Sequence, residues 1–233
     1  MNEATEWTAR LLALSWLLQA LELWRSRREL EALFPWSLVR RDYGLQLGDA
    51  AWPWLIALQA LLAPTLLSTQ PVFPWLALGV ALLQAARFRG SYNGGSDAMT
   101  LVVLLGLALA RTFSPRLGLA YIAAQLVLSY FLAGLFKLRD PAWRDGSALP
   151  RLLAAPQYRS AALHVPFARV AGYAVIVFEC AFPLALLDAQ AAWAFTVAGI
   201  TFHVLNARVL GLNRFLWAWL AAYPALLAWS VKT

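Results

Sequence analysis

Lys137 closes the apolar run "SYFLAGLFK", and a cation in that position needs a reason. An ionisable group within a bilayer costs about 2.5–3.5 kcal/mol on insertion scales, so it marks either function or a partner. Tyr130, Ala133, Gly134 and Lys137 follow i, i+3, i+4, i+7 and share one face of a helix. Phe131, Leu132, Leu135, Phe136 and Leu138 take the other faces. The amine is therefore expected to point into a bundle, above two small residues that admit a neighbouring helix or a flat ligand. An amine withdrawn from water can serve as a neutral general base. A lysine near a helix end can equally snorkel to the headgroups.

Other polar residues interrupt apolar segments. Thr196, Gly199, His203 and Asn206 follow i, i+3, i+7, i+10, a stripe suited to interhelical hydrogen bonds. Glu179 lies in "VIVFECAFP", four residues before Pro183, whose missing N–H frees the Glu179 carbonyl. A carboxylate and a freed carbonyl at one level predict a polar pocket, or a pairing of Glu179 with Lys137 or His203. Ser15, Gln19 and Glu22 form a weaker stripe of the same kind. In "RFRGSYNGGSDAM", Gly94-Gly95 predicts a tight turn, and Ser96 or Asp97 a helix cap. Arg87, Arg89 and Asn93 would share a membrane side with Lys137. Arg144 is suited to steering an anion. His164 and His203 are too scattered for a histidine metal site, so no metal is expected. The lone Cys180 reads as packing.

The elements that must hold these groups follow from composition. The chain is 61% hydrophobic and 13% charged, against roughly 45–50% and 25% in soluble domains. The excess falls in repeated Leu/Ala-rich blocks, which selects a bilayer as solvent and helices over a barrel. The net charge of +7 comes mostly from arginines between those blocks, the pattern of membrane loops and not of nucleic-acid binding. The expected fold is all-α: a polytopic integral membrane helical bundle of about eight transmembrane helices. The blocks are Thr8–Trp24, Asp49–Leu67, Val72–Arg87, Asp97–Arg111, Leu117–Leu138, Phe167–Leu187, Ala189–Leu210 and Arg214–Val231. They make one transmembrane domain over residues 1–233 with no soluble domain. "STQPVFP" and "RTFSPR" predict tight hinges, and "RSRRELEALF" an interfacial helix. The acidic opening "MNEATEWTAR" is unlike a secretory signal, so the first block is expected to be retained. Arginine and lysine divide about 14 to 4 between alternate loops. That predicts both termini outside and Lys137 near the cytoplasmic face.

Three segments carry a family resemblance. "SYFLAGLFKLRDPAWRDGSAL" and "FHVLNARVLGLNRFLWAWLAAYP" resemble motif segments of the vitamin K-dependent gamma-carboxylases and of their bacterial relatives, the HTTM (horizontally transferred transmembrane) domain proteins. "SYNGGSDAM" is similar to the bacterial branch, and the first segment is also similar to the lipase maturation factors. The resemblance implies a multi-pass protein of the bacterial inner (cell) membrane and a quinone, vitamin K-like, as cofactor. It gives Lys137 the role of the base that deprotonates the hydroquinone, and sets His203 and Asn206 near the quinone. Tyr130 and Glu179 would complete the cofactor pocket, while Arg144, Asn93 and Asp97 would face substrate. The carboxylases continue into a large luminal region that presents glutamates, so carboxylation of a protein by this chain alone is not expected. The alternative is a non-catalytic lipid- or quinone-binding accessory or chaperone-like protein. Membrane lipids and a partner membrane or secreted protein are the expected partners. A small transporter is less favoured, because no inverted repeat is visible.

Overall fold

A computed structural model describes residues 2–37, 44, 48, 50–88, 94–155 and 165–230. Asn93, Arg89 and His164 lie outside the described residues. Within them all regular structure is helical. The elements are α1 (Asn2–Arg25), α2 (Arg27–Leu33), α3 (Ala51–Thr65), α4 (Val72–Phe88), α5 (Gly94–Thr112), α6 (Pro115–Arg139), α7 (Pro141–Arg144) and α8 (Ala148–Leu153). After them come α9 (Val165–Ala181), a 3₁₀ segment (Phe182–Leu186), α10 (Ala189–Leu210) and α11 (Asn213–Ser230). The expected all-α membrane bundle is the architecture observed.

The number of candidate spans differs from the expected eight. Among the described residues, four stretches are long and apolar enough to cross a membrane: Gly94–Thr112, Pro115–Arg139, Phe167–Leu186 and Ala189–Leu210. The others fall short for separate reasons. Helix α1 has 24 residues but carries Glu3, Glu6, Arg10, Glu22 and Arg25. Helix α3 has 15 residues, or about 22 Å of rise against a hydrocarbon core of about 30 Å. Helix α4 has 17 residues. Helix α11 includes Asn213 and Arg214 and is the most enclosed element, with Ala221, Ala222, Ala225 and Leu226 at 0% exposure.

Helix α11 forms the centre. It packs on α1, α5, α6 and α10 and touches the 3₁₀ segment, while α3 and α4 cover the α1–α5 side. The alanine stripe of α11 lets these neighbours approach, as small residues do where lipid supplies no hydrophobic drive. The outer surface is oily: Trp54, Leu61, Phe136, Phe167 and Val177 are all exposed. An apolar exterior around a packed interior is what contact with lipid tails requires, and the chain is a membrane protein.

Local sequence explains the joints. Phe113 and Ser114 alone connect α5 to α6. The Ser114 hydroxyl accepts from the Leu117 N–H at 3.2 Å, and Pro115 takes the first helical turn. The expected cap at Ser96 or Asp97 is not formed, because α5 already covers Gly94–Thr112 and both residues lie inside it. Pro183, which lacks an N–H, falls where α9 gives way to the tighter 3₁₀ segment. The connection after Arg139 holds two short helices, α7 and α8. Asp140 accepts from the Ala142 N–H at 2.8 Å and caps α7. Asp145 accepts from the Ser147 N–H at 2.8 Å, and hydrogen bonds from Ser147 hold its carboxyl below the usual range. Gly146, at φ 73°, makes the turn into α8.

Near the α5–α6 turn the two backbones nearly touch. A Cβ on Gly118 would strike the Gly106 carbonyl and lie 2.5 Å from the Ala110 Cβ. Backbone cannot give way as a flexible side chain can. Gly118→Ala is therefore expected to destabilise the bundle by about 1–3 kcal/mol, read as a lower melting temperature in detergent. An unchanged melt would mean that the hairpin is looser than described.

Candidate functional site

Lys137 turns inward, as its face of α6 requires. Its Nζ donates to both carboxylate oxygens of Glu179 on α9, at 2.9 and 2.7 Å. The lysine side chain is 21% exposed and the glutamate 4%. The Trp143 ring lies 5.3 Å from the amine, within cation–π range. Gly134 makes the crossing possible, since a Cβ there would come within 2.7 Å of the Cys180 N and 2.8 Å of its Sγ. The small residue below the lysine thus admits α9.

One turn and more below, Tyr130 joins three helices. Its hydroxyl bonds the His203 Nε2 at 2.8 Å and the Tyr223 hydroxyl at 2.7 Å. All three residues are buried. Tyr130 stacks on Phe182 at 3.9 Å, while Phe178, Phe202 and Trp219 meet it edge-on. The His203 Nδ1 is buried with no hydrogen-bond partner among the described residues. Two phenols, an imidazole with an open nitrogen and a surround of aromatic rings suit a flat ring that carries oxygens.

The remaining expected residues divide. Asn206 is partly exposed, and its carbonyl closes α10 by accepting from the N–H groups of Gly211 and Leu212. Among the described residues its side chain makes no bond to His203 or Lys137. Arg144 is exposed, and its carbonyl accepts from the Tyr173 hydroxyl at 3.1 Å. Asp97 belongs to a different cluster. It accepts from Gln19 Nε2 at 2.9 Å and lies 3.5 Å from Arg214 Nη1. Arg214 Nε also meets Glu22 at 3.1 Å.

That second cluster extends inward as a chain of amides. Gln84 donates to Gln59 at 2.7 Å, and Gln59 donates to Gln19 at 3.1 Å and to the Trp16 carbonyl at 2.8 Å. Beside it opens a cleft of about 470 Å³, lined among others by Ser15, Gln19, Glu22, Arg25, Asn213 and Trp217. Phe215, Trp219 and His203 stand between the two clusters, with Phe215 stacked on Trp219 at 5.2 Å and His203 at 4.9 Å from Trp219.

Sequence reasoning missed several of these groups. Gln59 and Gln84 were legible as lone amides within oily blocks. Arg214 and Arg87 were counted as loop arginines. Both lie in helices, and the Arg87 guanidinium sits 4.3 Å from the Trp52 ring and 5.1 Å from that of Trp36. Nothing in the sequence marked Tyr223 as the partner of Tyr130.

No family model, curated protein or solved structure matches this chain.

The Lys137–Glu179 contact sets a stability expectation. Removing one member of a buried pair strands the other, at about 3–5 kcal/mol, whereas an apolar replacement of both is often near neutral. Lys137→Met and Glu179→Leu should each lower the melting temperature clearly, and the double variant should recover most of the loss. Additive losses in the double variant would show the two groups to be energetically independent.

Proposed function

We propose that this protein is a membrane-embedded, quinone-dependent enzyme in which the Lys137–Glu179 pair accepts a proton. The observation that carries the reading is the amine itself, held by both oxygens of a buried carboxylate. The resemblance to the membrane part of the gamma-carboxylases and to the HTTM proteins supports it. So does the donor set of Tyr130, Tyr223 and His203, whose open Nδ1 suits a ring oxygen.

A reduced quinone would supply an acidic ring hydroxyl. The chain's own residues handle the proton. Glu179 takes one proton from the Lys137 ammonium across the 2.7 Å contact, which leaves a neutral amine and a neutral acid. The Nζ lone pair then receives the incoming proton and becomes ammonium again. Glu179 keeps the proton it took, so the pair ends with one more proton and one positive charge. Glu179, at 4% exposure, is the better shielded member of the pair. The resemblance also implies residence in a bacterial cell membrane and a partner membrane or secreted protein.

A second reading has one observation in its favour. A lysine bonded to both oxygens of one carboxylate already clasps α6 to α9 and needs no further task. A lipid- or quinone-binding accessory protein would use the same clasp.

Lys137→Arg separates the two readings, because a guanidinium keeps the ion pair yet does not give up its proton. Under the enzymatic reading the variant melts like the parent and retains any quinone found by lipid extraction and mass spectrometry. It loses oxidation of an added reduced naphthoquinone by dissolved dioxygen, followed by ultraviolet absorbance, by at least a hundredfold. A parent extract free of quinone, or a variant that turns over normally, would remove the lysine from chemistry.

A further inference from the structure

A cleft of about 470 Å³ lies away from Lys137, at the end of the bundle where α1 finishes and α11 begins, within the range of small-molecule sites. Along α1 it runs from Ser15 to Ser26, about 16 Å at the helical rise.

The carboxylate that lines it is already engaged: Glu22 meets Arg214, whose guanidinium also faces Asp97 outside the lining. The uncommitted groups are of the opposite kind. Among the described residues the side chains of Arg25, Asn213, Trp217 and Ser15 make no hydrogen bond or ion pair to the protein, yet all four line the cleft. They offer a guanidinium, an amide, an indole N–H and a hydroxyl. Donors therefore outnumber acceptors, and one full positive charge sits at the exposed end. Ser15 and Thr100 extend the polar lining inward, beside the apolar Leu18 and Leu21.

We propose that this cleft binds a hydroxylated phosphoester with a single anionic group: the phosphate oxygens on Arg25, the hydroxylated part directed toward Ser15. A guanidinium fork suits a phosphate geometrically as well as electrically. Two sources share this chemistry, a free glycerol phosphate from the aqueous side and the headgroup of phosphatidylglycerol from the surrounding leaflet. The site is independent of the Lys137 reading, and either can fail alone.

The signal is tryptophan emission, assigned to Trp217 among the chain's 12 tryptophans by its loss in Trp217→Phe. Purified full-length protein in phosphatidylcholine nanodiscs is titrated with glycerol 3-phosphate, and nanodiscs containing phosphatidylglycerol are compared with phosphatidylcholine alone. Tryptophan emission and melting temperature are read in both. A saturable change with glycerol 3-phosphate supports the free ester as source. A change confined to phosphatidylglycerol supports the lipid headgroup. In either case Arg25→Gln should weaken the effect at least tenfold and Ser15→Val should weaken it less. Arg28→Gln, an exposed arginine on α2 that does not line the cleft, should leave it unchanged. No response in either arm would overturn the proposal. So would an equal loss in Arg28→Gln, because the effect would then be general surface charge.

Discussion

A carboxylate in an oily bundle must have a cation or a proton, and Glu179 has Lys137. Much of the local architecture answers to that constraint. Gly134 exists as a gap through which α9 can approach α6. Pro183 ends the regular helix just after the acid, and the chain tightens into a 3₁₀ segment whose Phe182 covers Tyr130. Trp143, on the short helix after α6, lays its ring near the amine. Charge, packing and backbone geometry all agree on the position of one nitrogen atom.

The same rule operates at the second cluster with a different balance. Arg214 is nearly enclosed and holds two carboxylates, while three glutamines pass hydrogen bonds from α4 through α3 to α1. Amides are uncharged, so they cost less to bury than ions and still satisfy one another. Helix α11 serves both clusters, with Arg214 on its first turn and Trp219 and Tyr223 further along. The aromatic layer between them keeps one polar group from short-circuiting the other.

Legibility in the sequence followed periodicity. The face Tyr130, Ala133, Gly134, Lys137 was readable because helical spacing is local, and each of the four sits on α6 as that spacing requires. Glu179 was readable as an anomaly in an apolar run, and Lys137 was one of two partners named for it. The choice between partners was not readable, since it depends on how α9 crosses α6. Span counting overreached because oily blocks were not all long and apolar enough as helices: α3 and α4 are short, and α1 and α11 carry charged or polar residues. Arginines misled as well: Arg87 and Arg214 look like loop charges by sequence and are held in tertiary contacts.

The near-contact of Gly106 and Gly118 bears on the order in which the molecule assembles. Joining them closes a very short stretch of chain, at little entropic cost. By contrast, the Lys137–Glu179 contact waits for a residue 42 positions downstream, and the Glu22–Arg214 contact spans 192. Local closures precede distant ones when all else is equal. The α5–α6 hairpin thus closes at a lower chain-entropy cost than the contact that ties α11 to α1.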